Sequence, residues 1–179
     1  SISDTVLTEV LTDYATDILY SVEDKIIICG QGKCKFYSSD LNFYSSLDVK
    51  ANVVYNQGDT LLFGTDDGVE MYSLKSLGYL GKILAGNVIT GLWVGLNGSV
   101  WASGSMGLAR FDGKSLKIYS PENSPIPGIS ISPSPLYPIR FSLLPDLKNG
   151  RIFVATEKGI GIFQDSSVLS GWWNKVKVY

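Results

Sequence analysis

The stretch that decides the fold is residues 97–120, Asn97-Gly-Ser-Val-Trp-Ala-Ser-Gly-Ser-Met-Gly-Leu-Ala-Arg-Phe-Asp-Gly-Lys-Ser-Leu-Lys-Ile-Tyr-Ser120. It reads as three short strands. Residues 99–102 form an apolar-rich run, 104–107 supply a turn, and 108–111 alternate apolar with polar side chains. Asp112-Gly113 is a strong hairpin signal, because both residue types tolerate the backbone of a tight turn. Residues 116–119 then alternate again.

The same pattern recurs on both sides. A first copy predicts strands at 18–21, 25–29, 33–37 and 41–47, and a second at 52–56, 60–64, 68–73 and 77–84. The third has 89–95, 99–103, 108–111 and 116–119, and the fourth 139–144, 151–156, 159–163 and 172–179. Superposing the central hairpins aligns Asp59 with Gly98 and Gly150, and Gly68 with Gly107 and Gly159. Residues 24–32 align one residue short, which puts Gly32 at that glycine position too. A glycine just after the turn suits a positive φ or a close backbone approach. Successive glycines lie 36, 39 and 52 residues apart, the last gap widened by an insertion at 121–138.

A period near 40 residues with four short strands per copy predicts an all-β fold, a β-propeller of four blades with four antiparallel strands each. One such sheet cannot bury both faces alone, so it must stack on neighbours. A sandwich with accidentally similar hairpins is the competing fold. The expected segments are a leftover N-terminal strand at 1–14, blade 1 at 15–49, blade 2 at 50–85 and blade 3 at 86–121. A proline-rich connector at 122–138 and blade 4 at 139–179 follow. The leftover strand, with Val6, Leu7, Val10 and Leu11, either completes a blade or forms a terminal arm.

Composition bounds the function. With 179 residues, 45% hydrophobic and 18% charged, the chain can bury the core of one folded domain. A net charge of −2 lacks the basic footprint of a nucleic-acid binder, and no apolar run reaches the length of a membrane span. The start, Ser-Ile-Ser-Asp, has no initiator Met and no signal-peptide pattern, as expected of a processed or excised chain. There is no histidine, which removes the commonest general base, the usual zinc ligand and every His-containing triad. A non-catalytic protein without cofactor or metal is expected.

The third copy resembles the repeat of the two-component regulator propeller family. That pattern is Asp/Asn-Gly-Asn-Ile-Trp-Ile-Gly-Thr, a few residues, Gly-Leu, an aromatic, Asp and a closing Tyr. Asn97, Gly98, Val100, Trp101, Gly107, Leu108, Phe111, Asp112 and Tyr119 match it. The stretch 121–128 is similar to the family's Asn-Ser-x-Leu-Pro connector, and 149–163 matches through Ala-Thr-Glu-Lys-Gly-Ile. The first two copies agree mainly in spacing, with Ile27 or Leu62 in place of the Trp. The resemblance implies the sensing portion of a two-component regulator, periplasmic or extracellular, often responsive to oligosaccharides. It also covers envelope scaffolds associated with type IX secretion. Rings in the family usually hold seven or eight blades, so four blades imply part of a longer propeller, a half-ring that pairs, or a closed four-bladed ring.

In a propeller the turns between second and third strands gather with the blade-to-blade connectors on one face. Here that face receives Gln31, Asp66, Asp67, Ser105, Glu157 and Lys158 as candidate ligand contacts. Asp66-Asp67 alone falls far short of a calcium loop and reads instead as a solvated turn. The connector, with Tyr137 among its prolines, is either a docking surface or a cover over the blades. Trp101 is expected between blades and Trp93 on an innermost strand, while Trp172 and Trp173 point to opposite faces, so one can meet a partner. A protein partner, self-association through open blade edges and an oligosaccharide are the expected contacts. Finally, a Gln31-Gly32 turn sets Cys29 opposite Cys34, where a disulfide is geometrically open and two buried thiols equally so.

Overall fold

The computed structural model describes residues 18–129 and 143–164, and there every regular element is a β-strand. The chain divides into two compact units, 1–50 and 51–179. The first holds one antiparallel sheet, β1 (Ile18–Val22), β2 (Lys25–Gly30), β3 (Lys33–Ser38) and β4 (Phe43–Leu47), paired in chain order. Its period-2 alternation puts Ile27, Cys29, Cys34 and Phe36 on one face, all buried.

The second unit holds three sheets. β5 (Val53–Gln57), β6 (Thr60–Thr65), β7 (Gly68–Ser73) and β8 (Tyr79–Ile83) form one, and β9 (Ile89–Val94), β10 (Val100–Gly104), β11 (Gly107–Phe111) and β12 (Leu116–Tyr119) the next. β13 (Leu143–Asp146), β14 (Arg151–Thr156) and β15 (Gly159–Gln164) form a three-stranded sheet. Each is an antiparallel meander of the kind that builds propeller blades. The leftover strand at 1–14, residues 139–142 and the expected fourth strand at 172–179 lie outside the described residues.

Two apolar layers bind the second unit together. Leu62 and Val69 of the β5–β8 sheet pack with Leu92, Val100, Ala102 and Ala109 of the β9–β12 sheet. Trp93, Trp101 and Leu108, on the opposite face of that second sheet, pack with Leu143, Ile152 and Val154 of the third. Trp101 is buried with its ring 5.3 Å from that of Phe163, and Trp93 is its direct cross-strand partner. The repeat Trp therefore sits between successive blades.

The structure corrects the repeat register at one point. Thr65 pairs with Gly68, Gly104 with Gly107 and Thr156 with Gly159, so those glycines follow the turn, with φ of +97°, +96° and +131°. In β2–β3 the closing pair is Gly30 with Lys33, and Gly32 lies inside the turn. Gln31 and Gly32 both have positive φ, 48° and 77°, as a two-residue type I′ hairpin requires. By the ladder no residue is missing: Lys33 stands where Gly68, Gly107 and Gly159 stand, and the four turns are equal in length and differ in backbone type.

Two strand starts also move. Residues 41 and 77 were expected to open outer strands, but Leu41 and Leu77 have φ of +64° and +56°. Each amide donates back, Leu41 to the Ser38 carbonyl and Leu77 to that of Ser73, so both belong to the preceding turn. The outer strands begin at Phe43 and Tyr79, after bulges at Phe36/Tyr37 and Met71/Tyr72. The first strand of the last sheet runs on to Asp146, because Pro145 and Asp146 still pair with Ile152 and Arg151.

Candidate functional site

The candidate ligand contacts of the second unit all lie on turns between second and third strands, and each turn is fastened to a blade-to-blade connector. Asp66 and Asp67 form the β6–β7 turn. Thr65 Oγ1 organises it, accepting from the Asp67 amide and donating to the Gly68 carbonyl. The Asp67 carboxylate accepts from Lys82 Nζ at 2.9 Å and from the Gly86 amide at 2.7 Å, joining the turn to the connector after β8. The Lys82 ammonium, then the Gly86 amide, hold the Asp67 carboxyl below its ordinary value. Lys82 also reaches Glu70 at 3.2 Å, and Glu70 accepts from the Tyr72 hydroxyl. Burial first, with the Glu70 charge adding, pushes the Tyr72 phenol up to about 12.

Asp66 accepts at 2.9 Å from Asn52 Nδ2, which also donates to the Ile89 carbonyl. One side-chain amide thus ties the turn of one sheet to the innermost strand of the next. Ser105, in the β10–β11 turn, is held to the same connector. Its amide donates to the Val88 carbonyl and its hydroxyl accepts from the Val88 amide. That hydroxyl also lies 3.4 Å from Asn87 Oδ1. Glu157, in the β14–β15 turn, donates its amide to the Ile129 carbonyl. Its carboxylate packs where a Cβ on Gly128 would meet it at 2.7 Å. The Lys158 amide donates to Thr156 Oγ1, and the side chain is exposed.

The Asp66 and Asp67 carboxylates and the Ser105 hydroxyl are therefore latches as well as candidate contacts. They keep connector and turn in one geometry and leave further lone pairs to meet a hydroxylated ligand. Among the described residues, no three Cys, Asp or Glu side chains are grouped so as to hold a metal ion. No helix there is long and apolar enough to cross a membrane.

One further feature was hidden in the sequence, and one alternative the sequence left open is decided. A groove of about 400 Å³ runs between β12, the start of the connector and β15, walled by Tyr119, Ile126, Val154, Gly161 and Phe163. The Tyr119 and Phe163 rings lie 4.5 Å apart, with Lys117 Nζ 5.0 Å from the centre of the Tyr119 ring. In the first unit Cys29 and Cys34 are joined, with an S–S distance of 2.03 Å and Cα atoms 4.0 Å apart. Gln31, on the turn between them, is exposed. Tyr137, Trp172 and Trp173, the candidate partner contacts, lie outside the described residues, as does the connector from residue 130 to its end.

No protein-family model and no curated protein sequence matches the chain. Solved structures do. The extracellular domain of a hybrid two-component system of B. thetaiotaomicron aligns over 79% of this chain, at a TM-score of 0.57 and 18% identity. PorZ, a surface component of the type-IX secretion system of Porphyromonas gingivalis, aligns over 85%, at 0.53 and 13%. The computationally designed Ika4 protein aligns over 89%, at 0.58 and 11%. The chain spans 19% of that extracellular domain and 22% of PorZ, but 99% of Ika4. At these identities the likeness is one of fold, and it agrees with the propeller repeat read at 97–119.

Proposed function

We propose that this chain is a non-catalytic recognition segment of an extracytoplasmic sensor propeller of the two-component type. The observation that carries the reading is the Asn97–Tyr119 repeat, reinforced by the fold it shares with extracellular domains of hybrid two-component systems. The Cys29–Cys34 disulfide fits a periplasmic or extracellular setting, where such bonds persist. The ligand is an oligosaccharide, received on the turn face that carries Asp66, Asp67, Ser105, Glu157 and Lys158. Hydroxyl groups there meet carboxylate and hydroxyl oxygens already oriented by their latches. Binding would shift how turn and connector pack, and so bias the arrangement passed to a kinase.

The test is a thermal-shift screen against plant, host and bacterial oligosaccharides. A ligand at one hundred times its Kd should stabilise by about 2.7 kcal/mol. Ser105→Ala should abolish that shift while the variant stays folded. A flat response across the panel defeats the carbohydrate reading.

A second reading is an envelope scaffold that binds a protein or surface polysaccharide. The fold likeness to PorZ and the proline-rich connector favour it. Deleting residues 130–138 should then cost capture of envelope partners, and unchanged capture counts against it.

A further inference from the structure

Ladder pairing makes positions in the four sheets directly comparable, and two faces break the pattern. Cys34, Val69, Leu108 and Ile160 are equivalent, paired respectively with Cys29, Gly64, Ser103 and Ala155. The first three are 0% exposed, whereas Ile160 is 69% exposed. Ile162 and Leu144, flanking Phe153 on the same face, are 63% and 62% exposed. Phe153 occupies the position of Leu62 and Trp101, whose faces are each covered by the following sheet. The last sheet thus presents the face its predecessors bury, with the same apolar chemistry.

The complementary face stands at the other end of the sequence. Leu19, Val54, Leu92 and Leu143 are equivalent, opposite Ile28, Phe63, Ala102 and Val154. Leu92 and Leu143 sit in the layers made with the preceding sheet, and Val54 is buried too. Leu19 is 72% exposed. One face is of the kind that receives a following blade and the other of the kind that covers a preceding one. An exposed contiguous apolar face such as that of Leu144, Ile160 and Ile162 marks an association surface.

We infer that the Leu144–Ile160–Ile162 face docks the Leu19 face of a second copy of this chain, blade on blade. The occupant is argued from continuity with the two interfaces inside the chain. In each of them a face carrying the Val69 or Leu108 position is closed by a face carrying the Leu92 or Leu143 position. The contact is heterologous, and two of them related by a two-fold axis make a closed pair.

Sedimentation equilibrium on the 179-residue chain tests this. The pair has twice the 19.5 kDa of one chain. Ile160→Lys and Leu19→Glu, both at exposed positions, should each sediment as single chains and keep the far-UV spectrum of the parent. Mixing the two variants should restore the pair, because one contact is then unaltered and the other sets Lys against Glu. Wild-type protein at 19.5 kDa across the concentration range overturns the inference, whether the chain closes on itself or carries further blades. A pair that survives either substitution, or variants that fail to combine, overturns it as well.

Discussion

Removing the Trp101 side chain tests whether this repeat Trp joins blades or merely fills one. The indole is 1% exposed and lies in the layer between the β9–β12 and β13–β15 sheets, against Leu143, Ile152, Val154 and Phe163. The Arg110 guanidinium lies 5.6 Å from the ring centre. About 200 Å² of aromatic surface at about 25 cal/mol per Å² gives an upper value near 5 kcal/mol. Large-to-small replacement of a buried Trp costs about 3–5 kcal/mol. That is a large share of the roughly 5–15 kcal/mol that holds a domain folded. Trp101→Ala should therefore lose about 3–5 kcal/mol in urea unfolding, and Trp101→Phe clearly less. Because the partners are in β13–β15, native-state hydrogen exchange should show β14 amides losing protection before those of β6. A loss below about 1 kcal/mol, or uniform loss of protection, would refute the inter-blade role.

Two further outcomes follow from local geometry. Cys29 and Cys34 are five residues apart, so the cross-link closes a short loop worth about 2 kcal/mol; the Cys29→Ala/Cys34→Ala variant should lose that much in denaturant unfolding, and equal stability would show that the bond contributes nothing. Asp112 is held at about 2, below its ordinary 3.8, first by the Ser115 amide and then by that of Lys114. A depressed folded value adds stability above the unfolded value, and that stability is lost as pH falls from about 4 toward 2. Asp112→Asn keeps an acceptor for the turn but cannot titrate, so melting temperature against pH should fall less steeply below pH 4; an unchanged acid limb contradicts this assignment.

Strand positions were legible because alternation and turn chemistry act locally. Asp112-Gly113 and Gln31-Gly32 mark hairpins within a few residues, and the pairing of Cys29 with Cys34 needed only the length of one turn. Leu41 and Leu77 misled for the same reason. An apolar side chain next to an alternating run looks like strand, while the positive φ that removes it from the strand is imposed by the bulge and the turn hydrogen bond. The latches were less visible. Asp67 and Lys82 are fifteen residues apart and meet through the β7–β8 ladder, in which Glu70 faces Lys82. Counting across that hairpin would have brought Lys82 to the turn, but a bulge at Met71/Tyr72 shifts the count by one.

The exposed end faces show where a repeat sequence stops being informative. Val69 and Ile160 occupy the same position, are both β-branched, and follow the same glycine, yet one is buried and the other exposed. Nothing in the residue itself distinguishes them, because burial of a blade face depends on its neighbour. The repeat therefore encodes a demand for a covering sheet at every position and is silent about which sheet supplies it. The turn face behaves differently. Its Asp67, Ser105 and Glu157 differ in residue type: the Asp67 carboxylate and the Ser105 hydroxyl latch the connector between β8 and β9, and the Glu157 amide latches the one before β13. On the proposed function, recognition of a ligand belongs with these non-repeated groups, and in the inferred pair assembly belongs with the repeated apolar ones. Substitutions on the two surfaces should consequently separate: Ser105→Ala alters ligand response without changing mass in solution, and Ile160→Lys does the reverse.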